Sequence, residues 1–259
     1  MTEHDDSDDK PLTLVQHLTE LRDRLIRCLI VVGVATVGLF IFAQELYTLF
    51  ASPLQRLLPE GSSMIATQVT STFFAPFKLT LFTAVLITIP YLLYQVWSFI
   101  APGLYRHEKR LIVPLLGSSV VLFYLGMAFA YFLVFPLVFG FFSSIAPAGV
   151  AYTPDITDFL NTSLKLLLAF GITFEIPIAV VLLIWSGVTS SQALAAKRPF
   201  IVVGCFVIAA ILTPPDIISQ TLLAIPMWLL FEAGIFFGRS IRRHTDLTVA
   251  DDEKNHPTT

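Results

Sequence analysis

The chain has 259 residues, of which 55% are hydrophobic and 14% charged, with a mean hydropathy of +0.77 and a formal net charge of −3. A soluble domain carries roughly 25% charged residues, so this composition excludes one and points to an integral helical membrane protein forming a single membrane domain. The slightly acidic balance also argues against a nucleic-acid partner.

The first segment, "EHDDSDD", belongs to an acidic amino-terminal tail over residues 1–11, expected to be disordered and solvated. It is too acidic, and the apolar run after it too long, for a cleaved secretory signal; that run is expected to stay as a permanent span. The stretch "HLTELRDRLIRCL" (17–29) then reads as an amphipathic helix leading into span one. Leu14, Leu18, Leu21 and Leu25 share one face, while Gln16, Glu20, Arg24 and Arg27 line another. Glu20 has two readings: an i,i+4 ion pair with Arg24, or a ligand-binding acid.

Six apolar segments follow the pattern of spans, at about 25–43, 76–101, 112–140, 159–186, 199–212 and 217–238. The first four are long enough for a hydrocarbon core of ~30 Å, which takes ~20 helical residues. The fifth is short and ends at "LTPPD" (212–216), whose paired prolines cannot continue a helix. Between spans one and two, residues 44–61 look like an amphipathic helix on the outer interface. Between spans three and four, residues 143–159 carry prolines and a Thr-Pro-Asp turn, an ordered-looking loop. Residues 241–259 form a polar tail, whose "DDEK" run is again expected to be disordered and solvated.

Apart from Arg56, Lys78 and Lys165, all 16 Lys and Arg gather at one side if both ends of the chain are cytoplasmic. The positive-inside bias therefore favours that orientation, with an even number of spans. The loop "FIAPGLYRHEKRLIVP" (99–114) belongs to this side, and there Glu108 sits among Arg106, Lys109 and Arg110. Simple attraction between neighbours accounts for such an acid, and so does ligand recognition.

Glu175, in "AFGITFEIPIAVVLL", falls deep in span four, on the order of 15 Å from its cytoplasmic end. A charged acid there costs ~3 kcal/mol or more unless it faces protein or water, so it is either a structural acid or a functional one. Pro177 should bend the helix beside it. Glu232 lies nearer the cytoplasmic end of span six and can snorkel to water. Asp216 can cap span six from the outer side. Cys28 and Cys205 both lie in apolar segments and read as buried free thiols.

The five histidines, at 4, 17, 107, 244 and 256, fall outside the spans, and no phosphate-binding loop, serine-hydrolase elbow or zinc-protease motif is present. An enzyme and a cofactor are therefore not expected. On residues alone, the alternative to a receptor is a proton- or ion-coupled small-solute transporter using Glu175.

The chain resembles the TatC family, the large membrane subunit of the twin-arginine protein translocase, through about residues 11–240. The resemblance is carried by "HLTELRDRL" (17–25), "YQVWSFIAPGLYRHEKR" (94–110), "FGITFEIP" (170–177), "KRPF" (197–200) and "LTPPDIISQTLLAIP" (212–226). It implies a glove-like bundle of six transmembrane helices over residues 12–240, with both termini cytoplasmic and Glu175 on its concave face. It further implies a bacterial inner-membrane receptor for signal peptides with paired arginines, part of a translocase that exports folded proteins on the proton-motive force. Glu20 and Glu108, with Phe99 beside the latter, are the implied signal-peptide residues. The small single-span subunits TatA and TatB are the implied partners, alongside self-association. Asp216 and Gln220, on the short spans five and six, mark the implied partner contact.

Overall fold

The computed structural model describes residues 14–55, 64–100, 112–144, 153–212 and 217–255, and these are almost wholly helical. Ten helices follow in chain order: α1 (Leu14–Leu39), α2 (Ala43–Gln55), α3 (Ser71–Ile100), α4 (Ile112–Phe129), α5 (Phe135–Ser144), α6 (Ile156–Thr173), α7 (Ile176–Trp185), α8 (Ser191–Ala196), α9 (Arg198–Leu212) and α10 (Ile217–Asn255). A 3₁₀ turn (Phe40–Phe42) joins α1 to α2, and a π-helical turn (Ala130–Val134) joins α4 to α5. Five runs are long and apolar enough to cross a bilayer: 15–52, 71–99, 114–144, 156–185 and 220–239. The sixth, Arg198–Leu212, has 15 residues, or roughly 22 Å of helix. This is a multi-pass membrane protein with one short helix, as the sequence suggests.

One expectation is extended and another corrected. Residues 43–55 form the helix expected there, α2, and it also packs on α3, a contact the sequence did not show, with Ala51 buried and Tyr47 and Phe50 set against Ala75, Leu79 and Leu160. The acidic carboxyl-terminal segment, expected to be irregular, is helical instead, since the backbone of α10 continues to Asn255. No Gly or Pro interrupts residues 239–256, so nothing local stops the helix where span six ends. The acidic run 1–11 and the "TPPD" residues 213–216 lie outside the described residues.

In lipid, helices gain little from hydrophobic burial against one another, and close packing must hold them together. Glycines supply it. On α4 and α6 two glycine–phenylalanine contacts interlock: a Cβ on Gly126 would stand 2.5 Å from the Phe170 carbonyl oxygen and 2.8 Å from the Phe174 ring. A Cβ on Gly171 would meet the Phe123 ring at 2.8 Å. The same device joins α7 and α10, where Gly234 lies against Pro177 and Val180 and Gly238 against Ile184. Gly234 and Gly238 are one turn apart, the small-xxx-small spacing that lets two backbones approach.

Proline costs a backbone hydrogen bond, which membrane helices must recover. Pro90, inside α3, cannot bond the Leu86 carbonyl four residues back; the Tyr124 hydroxyl from α4 donates to that oxygen instead, at 2.7 Å. The deepest core lies between α4, α5, α6, α9 and α10, around Phe135, Leu166, Phe170, Leu223 and Met227. At the other end from the amino-terminal helix start, Asp155 caps α6. It accepts from the Thr157 amide at 2.7 Å, and from the Thr67 amide and hydroxyl at 2.8 and 2.6 Å. That clasp pins residues 64–67 onto α6 through a single bridge, Ile65 to Asp155.

Candidate functional site

Helices α1 and α3 run side by side, and the polar residues of α1 meet the last three turns of α3. His17, Glu20 and Arg24 recur at i, i+3 and i+7, so they share a face. The His17 ring stacks on Phe99, with centroids 4.2 Å apart and planes 16° from parallel. One turn on, Arg24 donates to Glu20 Oε1 from Nε at 2.9 Å and from Nη2 at 2.6 Å. Its Nη1 donates to Gln95 Oε1 at 2.9 Å, and Nη2 reaches the Ser98 carbonyl at 3.3 Å. Gln95 is buried; the donor-only guanidinium on its Oε1 fixes which way round the amide stands, and its Nε2 donates to the Tyr91 hydroxyl at 2.7 Å. The i,i+4 pair legible in the sequence is thus present, and a residue 71 positions away ties it to α3.

Both of Arg24's bonds to Glu20 fall on Oε1. No described residue bonds Oε2, and the Glu20 side chain keeps 28% of its surface exposed. The carboxylate therefore retains acceptor capacity toward solvent, beside the aromatic face of His17 and Phe99.

A second polar chain leaves the opposite side of the same α3 segment. Trp97 donates from its indole nitrogen to Ser119 Oγ on α4 at 3.1 Å, and Ser119, fully buried, donates to Glu175 Oε2. Glu175 stands at the break between α6 and α7: the first helix ends at Thr173, and Ile176 and Pro177 begin the second. Pro177 suits the opening turn of a helix, which has no use for its missing N–H. At the position where the sequence suggests a bend there is a two-residue turn: Phe174 and Glu175 keep right-handed helical backbone angles while the Glu175 amide bonds the Ile172 carbonyl three residues back. Glu175 Oε1 is buried, and no described residue bonds it.

Glu232 stays partly exposed, as its place near the end of span six allows, and it has a partner the sequence did not show. Its carboxylate takes a bidentate fork from Arg198, Nε to Oε1 and Nη2 to Oε2, both at 2.6 Å, which ties the start of α9 to α10. The guanidinium geometry favours this closed pair over two separately hydrated groups. Gln220 donates from Nε2 to the Phe206 carbonyl at 2.9 Å, so it links α10 to α9 within the chain. Cys205 is buried and Cys28 half-buried, both as free thiols. Glu108 and Asp216 lie outside the described residues.

Sequence reasoning missed Gln95, Trp97 and Ser119. Their signal was weak: polar side chains at helical spacing within an otherwise apolar span, which in a bilayer need partners.

A family model described as Sec-independent protein translocase protein (TatC) matches residues 16–226. The Sec-independent protein translocase protein TatC of Azotobacter chroococcum mcd 1 is 54% identical over 257 residues, covering 99% of this chain and 100% of that one. The protein of the same name from Escherichia coli strain K12 is 55% identical over 226 residues, 87% of this chain and 88% of that one. That from Aquifex aeolicus strain VF5 is 39% identical over 234 residues, 90% and 97% of the two chains. A solved structure, the crystal structure of twin arginine translocase receptor TatC, superposes with a TM-score of 0.77 at 40% identity, covering 86% of this chain and 98% of that one.

Proposed function

We propose that this chain, which belongs to the TatC family of Sec-independent protein translocase proteins, is the membrane receptor for signal peptides that carry two adjacent arginines. It would serve as the core of a translocase moving folded proteins across the bacterial inner membrane on the proton-motive force. The observation that carries this reading is Glu20: an acid held against Phe99's end of α3, with one carboxylate oxygen that no described residue bonds. Such an acid attracts a cationic side chain, and a guanidinium fork on a second carboxylate, Glu108, would select arginine over lysine. Glu108, in the adjoining loop, supplies the second acceptor. The chain acts by binding and passage rather than by catalysis.

In this reading both termini and the 101–111 loop are cytoplasmic, supported by the distribution of Lys and Arg. Residues 12–240 form the translocase domain. The small subunits TatA and TatB, and further copies of this chain, dock on it, with Asp216 and Gln220 near the short helices as a contact point. Glu175, with one buried oxygen that no described residue bonds, serves a step after docking. Nothing in the matches supports a small-solute transporter.

Site-specific photocrosslinking tests the reading. Probes at positions 20, 99 and 108 are expected to capture an Arg-Arg signal peptide, and a probe at 216 to capture a small subunit. In addition, Glu108→Ala, and to a smaller degree Glu20→Ala, should weaken peptide binding by about 1–3 kcal/mol, the scale of a hydrogen bond to a charged group. Unchanged affinity in both folded variants, or mapping of residue 105 to the external face, refutes it.

A further inference from the structure

The proposed receptor reading supplies two acids for two arginines, and the structure distinguishes what one of them can offer. Arg24 spends its donors on three partners: Nε and Nη2 on Glu20 Oε1, Nη1 on Gln95 Oε1, and Nη2 again on the Ser98 carbonyl. Gln95 is itself bonded to Tyr91 and buried. Displacing Arg24 means breaking contacts on both α1 and α3, so an incoming guanidinium meets Glu20 with Arg24 still in place. Oε1 already accepts two hydrogen bonds, and Oε2 accepts none from the described residues.

We propose that Arg24 is a specificity-determining positioning residue: by occupying Oε1 of Glu20 while anchored on Gln95 and Ser98, it restricts Glu20 to one-oxygen recognition of a ligand cation. This rests on Glu20 being a signal-peptide acid. A fork–fork pair needs both oxygens of the carboxylate, and it is the geometry that separates arginine from lysine. An acid offering a single oxygen accepts an ammonium nearly as well as a guanidinium. Lysine in place of the arginine read at Glu20 therefore costs little affinity, and Arg24 is the cause. The pair also presents little net charge, so Glu20 reads a cation delivered to it by neighbouring contacts instead of drawing basic chains from a distance.

The test uses the full-length protein in detergent and three synthetic signal peptides bearing Arg-Arg, Lys-Arg or Arg-Lys, with Kd measured for each by titration. The readout is the lysine penalty, the ratio of each lysine peptide's Kd to that of the Arg-Arg peptide. In the wild type one of the two penalties is expected to stay below about 3-fold, and Glu20→Gln to bring that same penalty to about 1, as one lost charge-assisted contact implies. Arg24→Gln frees Oε1 and should raise that penalty to about 10-fold or more while leaving the other unchanged, an added charge-assisted hydrogen bond being worth about that factor. Arg24→Lys, which returns a cation to Oε1, should restore the wild-type pattern. A merely structural role for Arg24 shifts all three Kd values by one factor, and that result overturns the proposal while leaving the receptor reading intact. If Glu20→Gln and Glu108→Gln both leave the Arg-Arg peptide's Kd unchanged, the receptor reading falls and this proposal with it. Gel filtration and helicity of each variant confirm that the comparison is made on folded protein.

Discussion

Replacing Gly126 with alanine tests whether the α4–α6 interface holds the bundle together. The new methyl group would lie 2.5 Å from the Phe170 carbonyl oxygen, 2.8 Å from the Phe174 ring and 2.9 Å from the Phe174 Cβ. The ring could turn, but a helix backbone carbonyl cannot, so the helices must part by roughly 0.5–1 Å in a region packed at interior density. Overpacking of this kind costs about 1–3 kcal/mol. Against it stands the helix-propensity gain of Gly→Ala, about 0.8–1 kcal/mol. Because the clash is with a backbone carbonyl, the cost falls in the upper half of that range, about 2–3 kcal/mol, and the net expectation is a loss of about 1–2 kcal/mol, which for a chain of this size lowers Tm by about 2–8 °C. Gly204 supplies the control, because a Cβ there meets nothing within 4 Å. Gly204→Ala should melt at or slightly above the wild type. Thermal melts of the three proteins in one detergent, followed by circular dichroism, give the answer. If Gly126→Ala melts with or above the wild type, the close approach of α4 to the Phe170 backbone is not as described here, and the interlock is refuted.

Other residues make distinct predictions. Arg198→Ala should lower the melting temperature only slightly, since the fork to Glu232 is partly exposed and screened, and the swap Arg198→Glu with Glu232→Arg should recover most of the loss in a melting experiment. Ser119→Ala strips partners from both Trp97 and Glu175; peptide docking should persist while transport of a folded reporter into membrane vesicles falls, and wild-type transport would make the chain of contacts incidental. Asp155 is held down to about 2, from 3.8, chiefly by the Thr67 hydroxyl and then by the Thr67 amide. A depressed carboxylate stabilises fully above its unfolded value and loses that contribution as pH falls through the folded one. The melting difference between wild type and Asp155→Asn should therefore be constant from neutral pH down to about 5 and shrink toward pH 2; a difference that changes between pH 7 and 5 contradicts the assignment.

How much of this was legible depended on whether the physics was local. Span positions follow from runs of apolar residues, and the shortness of α9 follows from counting between Arg198 and the paired prolines, because a bilayer imposes a length on any helix that crosses it. The α6–α7 break was legible at Pro177 for the same reason: proline acts on its own backbone. The Glu20–Arg24 pair was visible as i,i+4 spacing, yet its meaning was not, since Gln95 is what fixes the pair and lies on another helix. Glu232 is a similar case: its partial exposure was legible from its depth, but only the fold could bring Arg198 within 2.6 Å.

The glycines carry the same lesson further. Sequence spacing puts Gly234 and Gly238 on one face of α10, but Gly33 and Gly38 on α1 have open space around them and serve no contact among the described residues. A small residue in a membrane helix permits a close approach without requiring one, so its role depends on what the facing helix brings. Pro177, Val180 and Ile184 bring bulk to Gly234 and Gly238; Phe123 and Phe174 bring it to Gly171 and Gly126. The two sets share one chain path, because α6 and α7 are the halves of a single span interrupted at Glu175. Each half is clamped by glycine packing to a different helix, α4 on one side and α10 on the other. The turn at Glu175 is thereby fixed from both sides by closely packed contacts, and the helix that clamps its first half, α4, also carries the Ser119 that donates to the acid.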